Sequence, residues 1–383
     1  MPSENKKRAA LSWARNWYGR FERPISSISL IGGFVFDALT LRRVDIFWDN
    51  VWVVGHLTIV TVCAIWINLL SDTVDESGAR PEANPHRLHF WLVNVMQFFF
   101  GGILSTFLVF YFRSGTLATS WPFLLILVLA FIANESLKRR YARLAFQISF
   151  LFLAFYAFAI YLVPIFLHEI GARAFLISGG ISVAAILIVI AIIALFSHDR
   201  FAGRNGRRVL FAIAVIFLAI NGLYFSRLIP PLPLSLMDAS VNQSLIVNGP
   251  GQYTLGQENQ NAGNVLYTVQ KFLSSNQTVH IMSGDPLFVY TSVFSPTALD
   301  VQIIHEWQYY DAVRKTWVTR GRIALPVTGG ENDGWHTFSE ETGITAGPWR
   351  VNILTSAGDT LGRLNFTVVV QDTEPTLVTQ EID

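Results

Sequence analysis

The chain has 383 residues, 52% of them hydrophobic and only 14% charged, with a formal net charge of +1. That balance offers no electrostatic basis for a nucleic-acid partner. A single cysteine, Cys63, excludes a disulfide within the chain and a cysteine-rich metal site. An average soluble domain is about 25% charged. The deficit here sits in residues 25–226, while the last third of the chain has ordinary composition. The contrast divides the chain into a membrane part and a water-facing part.

Residues 1–24 carry Lys6, Lys7, Arg8, Arg15, Arg20 and Arg23, interleaved with Trp13, Trp17, Tyr18 and Phe21. This pattern predicts a basic amphipathic helix on the membrane surface, aromatics at headgroup depth and cations toward anionic lipid. Six stretches then have spanning length: Val51–Leu70, Phe90–Phe112, Leu117–Ala133, Ala145–Leu167, Ala174–Phe196 and Val209–Phe225. A seventh, Ile25–Leu41, holds Gly32, Gly33 and Asp37 within its apolar run. It either crosses or lies in the interface.

Loop charge sets the orientation. Lys138, Arg139, Arg140 and Arg143 fill one loop, and Arg200, Arg204, Arg207 and Arg208 another. The loops at 113–116 and 168–173 hold one arginine each. The positive-inside rule makes the first pair cytoplasmic and the second pair external. One further crossing then places Pro230 and the rest of the chain outside. A cytoplasmic N-terminus requires Ile25–Leu41 to cross as well, giving seven spans.

Arg227 to Leu234, read RLIPPLPL, ends the apolar region. Residues 227–264 read as a proline-containing linker and a loose lead-in. From 265 to 371 short runs rich in Val, Ile, Thr and aromatics alternate with turn residues. The predicted strands are Val265–Phe272, Val279–Met282, Leu287–Phe294, Asp300–Tyr309, Thr316–Leu325, Trp335–Phe338, Trp349–Leu354 and Leu361–Val370. Ser356 to Asp359 is the turn between the last two. Seven or eight short strands in about 110 residues predict an immunoglobulin-like β-sandwich. Residues 372–383 read as a solvated tail. The expected architecture is therefore an α-helical transmembrane bundle of six to seven helices followed by an all-β, immunoglobulin-like sandwich.

A motif series runs through this region. It comprises Ile229-Pro230-Pro231-Leu232-Pro233-Leu234, His305-Glu306-Trp307, Gly329-Gly330, Gly347-Pro348-Trp349-Arg350-Val351 and Gly362-Arg363-Leu364-Asn365-Phe366. The series resembles bacterial DUF2914-domain proteins. Polytopic members of that family are similar over the whole chain, including Gly33 to Asp37 and Leu41-Arg42-Arg43-Val44-Asp45. The resemblance implies a multi-pass inner-membrane protein with a periplasmic domain, and no reaction, since the domain is one of unknown function. His336 and Glu341 stand here near positions where the family carries an arginine and a lysine. An anion site built on those two cations is therefore not implied for this chain.

Candidate binding residues are few. Asp37 places a carboxylate inside an apolar run, where it needs a partner, a cavity or a proton path. Arg42 and Arg43 lie five and six residues on, off the ideal helical spacing, so a partner on another helix is an equal expectation. Asn94, Gln97, Gln147 and Asn221 read as interhelical hydrogen-bonding residues. In the β-region His305, Trp307, Trp335, His336 and Arg350 stand out. His305, Trp307 and Tyr309 share one strand face, which is either an aromatic binding face for a sugar or peptide or part of the core. No histidine spacing for metal, no nucleophile elbow and no phosphate-binding loop occurs, so neither metal nor cofactor is expected.

The leading expectation is an anchor or accessory subunit whose external domain binds another membrane or envelope protein. A transporter or membrane-embedded enzyme working near Asp37 is the alternative. A receptor for a small ligand or glycan is the third. A reporter enzyme fused after Asp383 is expected to be active only outside the cytoplasm. Activity confined to the cytoplasm reverses the orientation.

Overall fold

A computed structural model describes residues 32, 34–37, 39, 46–70, 85–114, 117–136, 143–197, 201, 203–258, 277–296, 299–331 and 333–382. The basic segment 1–24, Arg42, Arg43, most of the loop at 134–144 and the expected strand Val265–Phe272 lie outside them. So does most of Ile25–Leu41, whose described residues are helical.

Six long helices are described: α1 (Phe47–Leu70), α2 (Pro85–Arg113), α3 (Leu117–Ser136), α4 (Leu144–Leu167), α5 (Ala172–Phe196) and α6 (Gly203–Phe225). Five are long and apolar enough to cross a membrane, and α3 carries a shorter apolar stretch, Ser120–Asn134. Phe98, Leu195, Phe211 and Leu218 point outward and are exposed. Apolar surface of that extent suits hydrocarbon, not water. Inside, polar residues pair across helices. Asn68 Nδ2 donates to Gln147 Oε1 at 2.6 Å, and Gln97 and Asn134 exchange side-chain bonds to each other's carbonyls at 3.1 and 3.2 Å. Each such contact contributes roughly 0.6–2 kcal/mol in a bilayer. Ser178 and Ser182 donate to the α4 carbonyls of Ala159 and Phe155, which requires the close helix approach that small residues allow.

The chain divides into two compact units. One holds residues 1–110, 125–158 and 180–218; the other holds 111–124, 159–179 and 219–383. The second contains the end of α6 and the whole β-region. There the last helix closes on a Schellman motif, with Leu228 N–H bonded to Leu223 O and Arg227 N–H to Tyr224 O. Arg227 takes the left-handed position (φ 59°) that glycine usually fills. Its guanidinium lies against Gly358 in the β-region, about 3 Å from where a Cβ would stand. Ile229, Leu232 and Leu234 are buried beyond it, and the Leu232–Pro233 peptide is cis.

Eleven strands follow among the described residues: β1 (Ser235–Asn242), β2 (Ser244–Gly249), β3 (Gln252–Glu258), β4 (Gln277–Ile281), β5 (Leu287–Phe294), β6 (Val301–Asp311), β7 (Thr316–Val327), β8 (Trp335–Glu341), β9 (Gly347–Thr355), β10 (Thr360–Val370) and β11 (Leu377–Ile382). A five-stranded sheet, ordered β4-β10-β9-β6-β7, faces a three-stranded sheet, β1-β5-β8. Val279, Leu287, Val289, Trp307, Trp349, Val351 and Phe366 fill the space between them. This is the expected sandwich. A third sheet, β11-β3-β2, packs Tyr253 and Leu255 on Tyr290 of β5. With partners on both sides, β5 is buried along nearly its whole length. That explains why LFVYTSVF is apolar on both faces apart from the buried hydroxyls of Thr291 and Ser292, and shows no alternation.

Two expectations are corrected. Residues 235–258 are not a loose lead-in but β1 to β3, and 377–382 are not a solvated tail but β11, paired with β3. The first segment mixes Asp, Asn, Gln and Glu with few β-branched residues, and the second is only six residues long and mostly exposed, so backbone pairing does more than side-chain pattern to make them strands. Gly329-Gly330 forms a turn. A Cβ on Gly329 would stand 1.9 Å from Pro296 O.

His305 and Trp307 lie wholly in the core. Trp307 Nε1 donates to Ser339 Oγ at 3.0 Å, leaving the Ser339 hydroxyl to serve His305 Nδ1 at 2.8 Å, while Thr291 Oγ1 lies 3.1 Å from Nε2. Every polar atom of the group is satisfied with the imidazole neutral. Burial pushes the His305 pKa down to about 3. An unfolded histidine takes its proton near pH 6.5. Below that pH the unfolded chain binds a proton that the fold refuses. The contribution is complete above pH 6.5 and is lost as pH falls toward 3. His305 is expected to give a stability slope of about 1.4 kcal/mol per pH unit in that window. His305→Gln should flatten it, read as the pH dependence of thermal unfolding in detergent; an unchanged slope rejects the assignment.

Candidate functional site

The pleat sorts the motif residues of β6, β9 and β10 into two sets. His305, Trp307, Trp349, Val351 and Phe366 point inward. Glu306, Gln308, Arg350, Asn352, Arg363 and Asn365 occupy the alternate positions, on the outer face. Strand register aligns them in two transverse rows. One is Arg322–Glu306–Asn352–Arg363, and the other is Thr319–Gln308–Arg350–Asn365.

Hydrogen bonds cross-brace the rows. Glu306 Oε2 accepts from Gln308 Nε2 at 3.1 Å and from Asn352 Nδ2 at 3.0 Å. Its other oxygen lies 3.6 Å from Arg322 Nε. Gln308 Oε1 accepts from Arg350 Nε at 2.6 Å and from Asn352 Nδ2 at 3.2 Å. Gln308 Nε2 also donates to Thr319 Oγ1 at 3.0 Å. Asn352 Oδ1 accepts from Arg363 Nε at 2.7 Å. Gln308 and Asn352 are only 9% and 5% exposed, so these amides are fixed in place. The Arg350 guanidinium lies 4.3 Å from the ring centre of Trp317, which meets Tyr310 edge-on. Burial, and then the nearby Arg363, hold the Arg350 pKa below its usual value, partly offset by Glu306. The face thus carries three guanidinium groups and one carboxylate.

Of the residues expected from sequence to bind, only Arg350 is on this face. His305 and Trp307 are inside, so the face they share with Tyr309 is turned to the core. Trp335 packs partly buried against the second core cluster. His336 Nδ1 donates to Gly251 O at 3.0 Å, next to Tyr290. In the other unit Asp37 is within reach of Ser105 and His56. His56 donates Nδ1–H to Trp52 O at 2.8 Å, and its ring lies 3.1 Å from where a Cβ on Gly102 would stand. Sequence reading missed Gln308, Asn352 and Arg322. The available signal was the outward positions of strands already recognised by their apolar neighbours. Among the described residues no group of His, Cys, Asp and Glu is placed to hold a metal.

No curated protein matches the chain. Among solved structures, a β-glucosidase from Listeria innocua is similar at a TM-score of 0.18 and 16% identity, over 25% of this chain and 15% of that one. The chain thus spans about 15% of that enzyme's length. The alkylpurine DNA glycosylase AlkC of Pseudomonas fluorescens bound to DNA is similar at 0.21 and 9% identity, over 84% of this chain and 98% of that one. Scores so low carry no argument about fold or activity. Residues 300–368, which hold both transverse rows, match the family model described as a protein of unknown function, DUF2914. By that match residues 300–368, from the start of β6 to most of β10, are the DUF2914 part of this chain.

Proposed function

We propose that the chain is a membrane-anchored recognition protein. Its helices hold the β-domain on the extracytoplasmic side of a bacterial inner membrane, and the outer face of the five-stranded sheet is presented to another membrane or envelope protein. The observation that carries this reading is the cross-braced polar face. Two nearly buried amides, Gln308 and Asn352, hold two guanidinium groups in fixed positions. A sheet face needs no such bracing merely to stay in water. Pre-positioned polar groups lose little freedom on binding, which favours affinity. The orientation rests on the arginine-rich loops at 134–144 and 197–208.

A second reading has its own observation, the approach of Asp37 to Ser105 and His56 on α2 and α1. An ionisable residue among apolar helices with a partner at hand fits proton or ion handling. In that reading the β-domain is a cover.

The two separate experimentally. A photo-crosslinking residue at Thr319, on the edge of the polar face, is expected to trap one discrete protein in intact cells. The same residue at Val378, on β11, should not. Trapping of nothing at Thr319, or the same product from both positions, overturns the recognition reading.

A further inference from the structure

We infer that the occupant of this face is an extended acidic segment of the partner protein, with carboxylates at alternate positions seated on Arg350 and Arg363. The inference rests on the recognition reading and adds the chemistry of what is recognised.

Charge comes first. The oxygens of Glu306 are already engaged by Arg322, Gln308 and Asn352. Arg350 and Arg363 are held by neutral acceptors instead, Gln308 Oε1 and Asn352 Oδ1. An amide fixes a guanidinium without neutralising it. Two like charges are therefore kept near each other, and burial and the neighbouring Arg363 both weigh on Arg350, with Glu306 offsetting only part of that. Both are anchored through Nε, and among the described residues their terminal nitrogens have no partner. Those nitrogens form the fork that receives a carboxylate in bidentate fashion.

Spacing selects the occupant. Arg350 pairs with Asn365 and Arg363 with Asn352, so the two arginines are diagonal neighbours on adjacent strands. Such positions are about 7–8 Å apart. An extended peptide repeats its side chains on one face about every 6.6–6.8 Å. Alternate acidic residues therefore match the two guanidinium groups. A single phosphate has to draw both onto one point, against the separate anchors that Gln308 and Asn352 impose. Trp317, stacked with Arg350, and Tyr310 beside it give the aliphatic stem of the glutamate seated there a flat surface.

The test uses the full-length protein in nanodiscs and a fluorescent Glu-Val-Glu-Val-Glu peptide. The expected result is saturable binding that the Gln-Val-Gln-Val-Gln peptide does not compete. Arg350→Gln and Arg363→Gln should each weaken it about tenfold, and Arg350→Lys, which keeps the charge, should weaken it less. Arg314→Gln, which removes an exposed arginine on the β6–β7 turn, should leave it unchanged. Equal weakening by Arg314→Gln, equal binding of the two peptides, or displacement by inorganic phosphate at the peptide's own concentration overturns the inference. The Thr319 crosslink distinguishes the two levels. A crosslink that persists in the Arg350→Gln, Arg363→Gln double variant leaves recognition standing and removes the acidic occupant. No crosslink in the unaltered protein removes recognition itself.

Discussion

Alternation along β6, β9 and β10 is the constraint on which the β-domain depends. A strand has two sides and a period of two, so every second residue is committed to the core. His305 and Trp307 go inward because Ser339 and Thr291 satisfy their polar atoms there. That commitment sends Glu306 and Gln308 outward, opposite Asn352 and Arg350. A slip of one residue would bury two guanidinium groups and expose two tryptophans. The core and the polar face are thus two consequences of one register. Removing either large indole from the core is the kind of change that costs about 3–5 kcal/mol.

A second constraint acts where the chain leaves α6. A helix followed directly by prolines suggests a loose tether, yet Ile229, Leu232 and Leu234 are buried. Arg227 accepts a left-handed backbone, which costs an ordinary residue roughly 1–2 kcal/mol, while its guanidinium lies against the turn at Gly358. Burial pushes the Asp359 carboxyl up from the usual range, and Arg227 offsets part of that rise. The attraction between the two charges offsets the backbone strain. The end of α6 and the turn between β9 and β10, distant in sequence, are therefore linked by charge.

The helical region obeys bilayer rules. Large apolar side chains face outward, while amides and hydroxyls turn inward and bond across helices. No hydrophobic force favours helix association in lipid, so these polar pairs and small-residue contacts carry the specificity. Asp37 lies near His56 and Ser105, a group distinct from the amide pairs.

Composition and period, both properties of the sequence by itself, determined the helices and the central strands. Apolar stretches about 20 residues long have no stable form in water except as packed or lipid-covered helices, so the six long helices were legible, although only five of them are long and apolar enough to cross a membrane. Alternation in Val301–Asp311 and Gly347–Thr355 marked those strands and the residues that share a face, while leaving open whether the face of His305 and Trp307 was core or binding surface. Segments without a side-chain signature were not legible. β1 and β11 exist because a strand far along the chain takes their backbone groups, and β2 and β3 because they pair with each other across a short turn. The rows Arg322–Glu306–Asn352–Arg363 and Thr319–Gln308–Arg350–Asn365 draw on two local strand pairs, β6–β7 and β9–β10, that meet only through the long-range pairing of β6 with β9. Local chemistry set which side chains each strand offers. Only the tertiary pairing decided which of them meet.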